Sequence, residues 1–296
     1  MAKFYPMSMV NITNRCTLKC KHCFVFRESN PNRSTKQNEM TAEVMIKHIK
    51  KYRRKHGIFS MVWMGGEPLL RKDVLKLGVK LFPRNVITTN GTIPFINLGP
   101  KIKWVVSIDG PEEMNDEIRG YGSFQKIMSN LNALPDDFTG DLQCQCVISK
   151  KNEHCFEELI DFLRRETPLR GIVFSFYAPH KNDSSEFAWQ TLQERDPAVK
   201  KVLALKKKYP QYILNKELAF ELLLSPNALE VTNNCPIKKF FLPLYLGDDG
   251  FEHPYCCYGN DVNCDLCGAW GAFQIAAMMK LNPAFFKNID EKDALF

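Results

Sequence analysis

Residues 13–26 read TNRCTLKCKHCFVF and set Cys16, Cys20 and Cys23 in the order C-x3-C-x2-C. Three thiolates can hold three corners of a cubane iron–sulfur cluster and leave the fourth iron open to another ligand. A purely structural cluster or zinc site takes four protein ligands, so a tight trio points to an open position and to chemistry. Two plainer readings stand beside it: a zinc knuckle completed by a ligand such as His22, or three unrelated buried cysteines.

Outward from the trio, a hydrophobic run over 58–63 leads to Gly65-Gly66-Glu67-Pro68. A second strand pattern ends in Thr88-Thr89-Asn90-Gly91, and a third, Trp104-Val105-Val106, in Ser107-Ile108-Asp109-Gly110. Asn115-Asp116-Glu117-Ile118-Arg119-Gly120 then precedes a Gly-Ser-Phe helix start, and Val147-Ile148-Ser149-Lys150-Lys151-Asn152 closes a later strand. In this order, with the cysteine trio and the GGEP run together, the segments from about residue 11 to about residue 152 resemble the radical S-adenosylmethionine superfamily.

The 296 residues suffice for one large domain and a smaller appendage. Hydrophobic and charged fractions of 45% and 25% are those of a soluble globular chain. The start, MAKFYPMSMVNIT, lacks the apolar core of a signal peptide, and no run reaches the length of a membrane helix. Eleven cysteines in such a chain read as thiols or metal ligands in a reducing cytoplasm. The net charge of +7 is uneven: 216–296 carries −5, and 1–215 carries +12. The basic excess gathers at helix ends, as in Lys50, Lys51, Arg53, Arg54 and Lys55, where cations suit the dipole. No aromatic residues interleave with it to stack bases, so nucleic-acid binding is not expected.

Strand and helix patterns alternate through the first half, which predicts a parallel α/β architecture. Strands are expected from 9, over 59–63, 85–88, 104–108, 142–148 and 171–177. Helices are expected from Thr41 to Gly57, over 72–82, from Ser123, and around Phe156–Leu163. Asp196-Pro197 reads as an N-cap and first-turn proline of a later helix. The fold class implied by the resemblance is α/β, a partial (β/α)6 TIM-type barrel, with a small C-terminal cysteine-rich, twitch-like domain. The composition shift places the domains at 1–215 and 216–296, and the tail 288–296 reads as loosely held. Every motif falls at the C-terminal end of a strand, the catalytic end of such barrels.

The resemblance implies a [4Fe–4S] cluster with an open iron on Cys16, Cys20 and Cys23, with S-adenosylmethionine chelated there. An external flavodoxin- or ferredoxin-type donor supplies the electron, and carbon–sulfur homolysis gives methionine and a 5′-deoxyadenosyl radical. Gly65 and Gly66 would let main-chain carbonyls approach the methionine ammonium, with Pro68 closing the turn. Glu67 offers a charged acceptor or orients the loop. Thr88, Asn90, Ser107 and Asp109 occupy the family's carboxylate- and ribose-contacting positions, although such residues also serve as ordinary turn formers. His22 stands where the family usually has an aromatic residue, a departure at the adenine contact.

The strand around 141–149 alternates, with Leu142, Cys144, Cys146 and Ile148 on one face and Gln143, Gln145 and Val147 on the other. The apolar set is expected to pack outward and the two glutamines to face the substrate. A sharper reading makes Cys146, Cys144 or Cys155 a hydrogen donor to a product radical; the plainer one makes them small buried hydrophobes.

Cys235, the Asp-Asp-Gly turn at 248–250, Cys256-Cys257 and Cys264-x2-Cys267 look like a SPASM or twitch auxiliary-cluster region. One auxiliary [4Fe–4S] cluster fits Cys235, Cys264, Cys267 and either Cys256 or Cys257, with Cys256 expected. Zinc on the same thiolates is the alternative. The HPYCCY segment looks most like the C-terminal region of hopanoid-adenosylating enzymes, which favours a small-molecule or lipid substrate modified by hydrogen abstraction or adenosyl addition. A peptide-modifying enzyme is the runner-up, but the ten or so residues before the first strand leave no room for its leader-binding module. A non-catalytic iron–sulfur or zinc protein is the rival class. Residues 269–279, AWGAFQIAAMM, read as a buried helix or an apolar groove.

Overall fold

The structure, a computed structural model, describes residues 3–30 and 39–283. The tail expected to be loosely held, 288–296, lies outside the described residues.

Strand β1 (Met7–Asn11) leads into the cysteine loop, and α1 (Ala42–His56) follows. Thr41 caps α1 by accepting from the Val44 N–H, and Gly57 ends it in the left-handed region at φ 66°. Ala42, Met45, Ile46 and Ile49 form its buried face, as their 3.6-residue spacing requires. Then come β2 (Ser60–Met64), a 3-10 turn (Pro68–Arg71), α2 (Lys72–Gly78), β3 (Arg84–Thr89) and β4 (Ile102–Ser107). Helices α3 (Glu112–Arg119) and α4 (Ser123–Asn132), β5 (Asp141–Ile148), α5 (Phe156–Glu166) and β6 (Ile172–Phe176) complete the first half.

Strands do not alternate with helices one for one. Between β3 and β4 there is none, because Gly91 (φ 73°), Pro94, Gly99 (φ 97°) and Pro100 break any helical run. Phe95 from this loop packs edge-on to Trp104, ring centroids 5.5 Å apart. Two helices instead follow β4. The later helix also starts earlier than Asp196-Pro197 suggests: α6 spans Leu192–Lys208 and encloses Pro197. Its cap is Thr191, whose hydroxyl accepts from Glu194 N at 3.2 Å. That T-x-x-E signature is a capping box in the sequence. Asp196 is committed elsewhere, accepting from the Ser225 N–H and hydroxyl at 3.0 and 2.5 Å.

The remainder comprises α7 (Glu217–Glu221), α8 (Asn227–Asn233), α9 (Pro236–Phe240), β7 (Phe241–Leu246), β8 (Phe251–Glu252) and α10 (Trp270–Leu281). The sheet runs β6-β5-β4-β3-β2-β1-β7-β8. Neighbours from β6 through β7 are parallel, and β8 pairs antiparallel with β7. The six expected strands thus gain a seventh parallel one: β7 lies beside β1, and Ser8 Oγ donates to Leu242 O at 2.7 Å. The 248–250 turn closes the β7–β8 hairpin through Gly247 N to Gly250 O, 3.0 Å. Helix α10 is the buried-helix reading of 269–279, with Ala272, Phe273, Ile275 and Ala277 inside.

Burial along the strands identifies the two faces of the sheet. In β2, Met61 and Trp63 are fully buried; a Cβ on Gly78 of α2 would meet the Trp63 ring at 2.2 Å. Val62 and Met64, on the opposite face, are half-buried. In β5, Leu142, Cys144, Cys146 and Ile148 join the apolar core, while Gln145 and Val147 are half-buried on the lumen side.

Candidate functional site

The GGEP turn docks directly on the cysteine loop. Gly66 N donates to Thr13 O and Glu67 N to Arg15 O, both at 2.8 Å. A Cβ on Gly66 would stand 2.1 Å from Arg15 O, so glycine is required there by backbone contact alone. Pro68 starts the 3-10 turn, and Glu67 caps it by accepting from Leu69 N at 3.0 Å.

Glu67 is completely buried and both its carboxylate oxygens accept from protein donors. It also accepts from Thr89 Oγ1 at 2.7 Å and from Asn90 N at 2.8 Å. Burial pushes its carboxyl up to about 7, against the pull of those donors. Of the two roles expected for Glu67, the geometry matches the one that orients loops. Asn90 carries the order onward, its amide donating to Thr17 Oγ1 at 3.0 Å and to Cys16 Sγ at 3.6 Å.

Asp109 is the second organising carboxylate. Its Oδ2 lies 2.7 Å from Arg119 Nε and 2.8 Å from His22 Nε2, and its Oδ1 accepts from Val147 N at 2.8 Å. Burial would raise its pKa, but Arg119, His22 and the Val147 N–H overcome that and hold it well below the usual carboxylate range. Asn115 Oδ1 accepts from Asp109 N, and Asn152 Nδ2 donates to Asp109 O at 2.7 Å. The Asn115–Gly120 and Ser149–Asn152 motifs therefore meet at one aspartate. His22 Nδ1 is buried without a partner. The Thr88 and Ser107 hydroxyls are half-buried at the strand ends, with no side-chain hydrogen bond among the described residues. Gln145 pairs in register with Ser107 on the lumen face, whereas Gln143 lies lower and donates to Asp141 at 2.8 Å.

Cys16, Cys20 and Cys23 are half-buried around one turn, with Cys23 N donating to Cys20 O at 3.2 Å. Burial pushes Cys20 up to about 11, with Arg119 opposing and Cys23, Asp109 and Cys16 adding to the rise. Cys16 is raised by burial and by Glu67 and Cys23. The three thiols thus share one electrostatic neighbourhood. Cys144 and Cys146 are fully buried in the core and Cys155 nearly so; burial raises all three, Cys155 to about 11.

The second cysteine set also gathers. Cys267, pushed up to about 12 by burial, is further raised by Cys235, Cys256 and Cys264. Cys256, pushed to about 11 by burial, feels Cys264 and Cys235, and its sulfur accepts from Tyr258 N at 3.3 Å. Cys257 is buried beside them, its thiol raised by burial and by Cys256 and Cys235. Lys238 Nζ donates to Cys264 Sγ at 3.8 Å. Phe24, next to Cys23, and Tyr258, near Cys256, touch with ring centroids 4.6 Å apart.

Among the described residues no three His, Cys, Asp or Glu side chains converge tightly enough for a single metal ion. Fit rests instead on the donor chemistry, which in both sets is soft thiol and suits iron–sulfur or zinc. Sequence reading missed Arg119 as the partner of Asp109, though it lies in the quoted motif. It also missed Lys238, at Cys264 Sγ, and Arg195, whose Nη1 donates to Cys267 O at 3.1 Å; neither lies in a motif.

The chain belongs to the Radical SAM superfamily, whose model matches residues 10–163. It is 30% identical over 174 residues to Fe-coproporphyrin III synthase of Methanosarcina barkeri, covering 54% of this chain and 41% of that protein. It is 31% identical over 140 residues to the serine-type anaerobic sulfatase-maturating enzyme of Bacteroides thetaiotaomicron, covering 40% and 34%. The chain thus spans less than half the length of either relative. Its fold is similar to that of anSMEcpe with bound AdoMet, at TM-score 0.63 and 18% identity over 90% of this chain and 80% of that one. It is also similar to Streptococcus suis SuiB bound to S-adenosylmethionine, at TM-score 0.60 and 14% identity over 82% and 58%. The protein is an enzyme of this superfamily. Among the described residues no helix is long and apolar enough to cross a membrane.

Proposed function

We propose that Cys16, Cys20 and Cys23 hold a [4Fe–4S] cluster with an open iron, and that S-adenosylmethionine binds there across the strand ends. The observation that carries this reading is the interlock of Glu67, Asn90 and Cys16, which fixes the GGEP turn against the cysteine loop. When bound, the cluster supplies one electron to the sulfonium of S-adenosylmethionine, splitting it into methionine and a 5′-deoxyadenosyl radical. The partner this reading calls for is an external flavodoxin- or ferredoxin-type electron donor, in a reducing cytoplasm.

The residues of this chain bind and orient. Gly65 and Gly66 bring backbone close to the methionine end, Thr88 and Ser107 offer free hydroxyls, and His22 presents an unpartnered Nδ1. Asp109 holds His22 and Arg119 rather than the cofactor itself. The C-terminal segment from about residue 216 carries the auxiliary region, with Cys235, Cys256, Cys264 and Cys267 as ligands of a second cluster and with β7 continuing the main sheet.

At the C-terminal ends of β2 to β5 the half-buried residues Thr88, Ser107 and Gln145 set hydroxyls and an amide beside Met64 and Val147. Covering such amides and hydroxyls with hydrocarbon leaves each unsatisfied at a cost of about 1–3 kcal/mol. The lining therefore favours a polar small molecule over a lipid, and a peptide side chain meets the same chemistry. Anaerobically reconstituted protein, given S-adenosylmethionine and dithionite, is expected to release 5′-deoxyadenosine and methionine in equal amounts. Release of neither from iron-loaded protein would refute the reading.

A further inference from the structure

Arg195 lies at 2% exposure inside α6, and no carboxylate among the described residues pairs with it. Its Nη1 donates to Leu266 O at 3.2 Å and Cys267 O at 3.1 Å, and Nη2 to Leu223 O at 2.8 Å. Its Nε has no partner. The carboxylate next in sequence, Asp196, is turned to Ser225. A buried cation supported only by carbonyls is costly unless an anion lies near. The anionic groups that act on it are the Cys267 thiol, on whose backbone carbonyl the guanidinium rests, and, less strongly, Asp196. On another side of the same set, half-buried Lys238 points its ammonium at Cys264 Sγ, 3.8 Å away, and stacks over the Tyr255 ring at 3.9 Å. Cys235, three residues earlier, lies within its field.

We propose that Arg195 and Lys238 are the counter-charges of the second cysteine set and raise the reduction potential of the metal–sulfur centre it holds. This rests on the auxiliary-cluster reading above. Four thiolates around a cubane give a net anionic centre, and reduction adds one further negative charge. Fixed cations beside it stabilise the reduced form more than the oxidised one. The first set differs in this respect. Arg119 approaches Cys20 Sγ at 4.0 Å, but Asp109, 2.7 Å from its Nε, cancels the charge. The structure thus gives the two centres different electrostatic surroundings. Neither Arg195 nor Lys238 need touch substrate; both are positioning residues acting through the field.

The test is an EPR-monitored reductive titration of full-length, anaerobically reconstituted protein with dithionite, comparing wild type, Lys238→Met and Arg195→Lys. Lys238→Met removes one cation from a half-buried position and keeps a side chain of similar length. It is expected to retain both clusters and to bias the second centre about tenfold toward its oxidised state. That is about 59 mV downward for one electron. The first centre's midpoint is expected to stay put. Arg195→Lys keeps the charge and is expected to track the wild type. An unmoved second midpoint in Lys238→Met with full iron content would overturn the proposal and leave the cluster reading standing. So would an equal shift of both centres. Zinc at the second site of the wild type, with a single iron signal, would overturn the cluster reading itself.

Discussion

Asp109 Oδ2 and Arg119 Nε stand 2.7 Å apart with both side chains shut from solvent, joining the end of β4 to the last turn of α3. The cysteine loop rests on that turn: Lys21 N donates to Ile118 O at 2.9 Å, and the Cys20 thiol approaches Arg119 O at 4.0 Å. Asp109→Asn leaves the guanidinium buried and unpaired, which is expected to cost about 3–5 kcal/mol. Urea unfolding measures that loss. Iron analysis of the same variant is expected to find the first site depleted and the second filled.

Gly66→Ala tests the docking of the GGEP turn. Its Cβ would stand 2.1 Å from Arg15 O and 3.0 Å from Cys16 Cβ, so the cysteine loop must move. Iron bound per chain is expected to fall to about half, from the eight that two cubanes hold. Full iron content in this variant would show that the contact is not needed to shape the loop.

Glu67 gives a pH dependence with a definite sign. Its carboxyl is raised from 4.5 to about 7 in the folded chain. Between those values the folded state keeps a proton that the unfolded state has released. Stability contributed by this group is therefore lost as pH rises across that window and is level above it. Subtracting the Glu67→Gln urea midpoints from those of the wild type, from about pH 4.5 to 8, is expected to give a falling difference that flattens near 7. A flat difference would contradict the shift.

Much of this was legible because the motifs are local. The spacing of Cys16, Cys20 and Cys23, the GGEP turn and the alternation in β5 each depend on neighbours within a few residues. The Thr41 cap and Gly57 stop were readable for the same reason. Arg119, Arg195 and the pairing of β7 with β1 depend on contacts between distant residues, which a periodic pattern does not encode. The α6 start was legible and misread: Asp196-Pro197 is a strong local cap signal, but Thr191 is the cap that the chain uses, accepting from Glu194 N, while the Glu194 carboxylate accepts from Gln190 N.

Cys256 and Cys257 should separate cleanly. Cys256 sits in a tight turn with Gly259, and its sulfur accepts a backbone N–H, whereas Cys257 is buried in the core. Cys256→Ser is expected to bleach or shift the second centre's absorbance. Cys257→Ser is expected to preserve it while costing about 1–3 kcal/mol for a buried hydroxyl. Equal spectral damage from both would give the neighbouring thiol a role at the centre.

The central claim is that Cys16, Cys20 and Cys23 form the site of S-adenosylmethionine cleavage. The direct measurement is 5′-deoxyadenosine formed under dithionite by protein in which all three are replaced by Ala, with iron counted in the same sample. The account predicts no 5′-deoxyadenosine while iron persists at the C-terminal site. Continued cleavage of S-adenosylmethionine by that variant would contradict it.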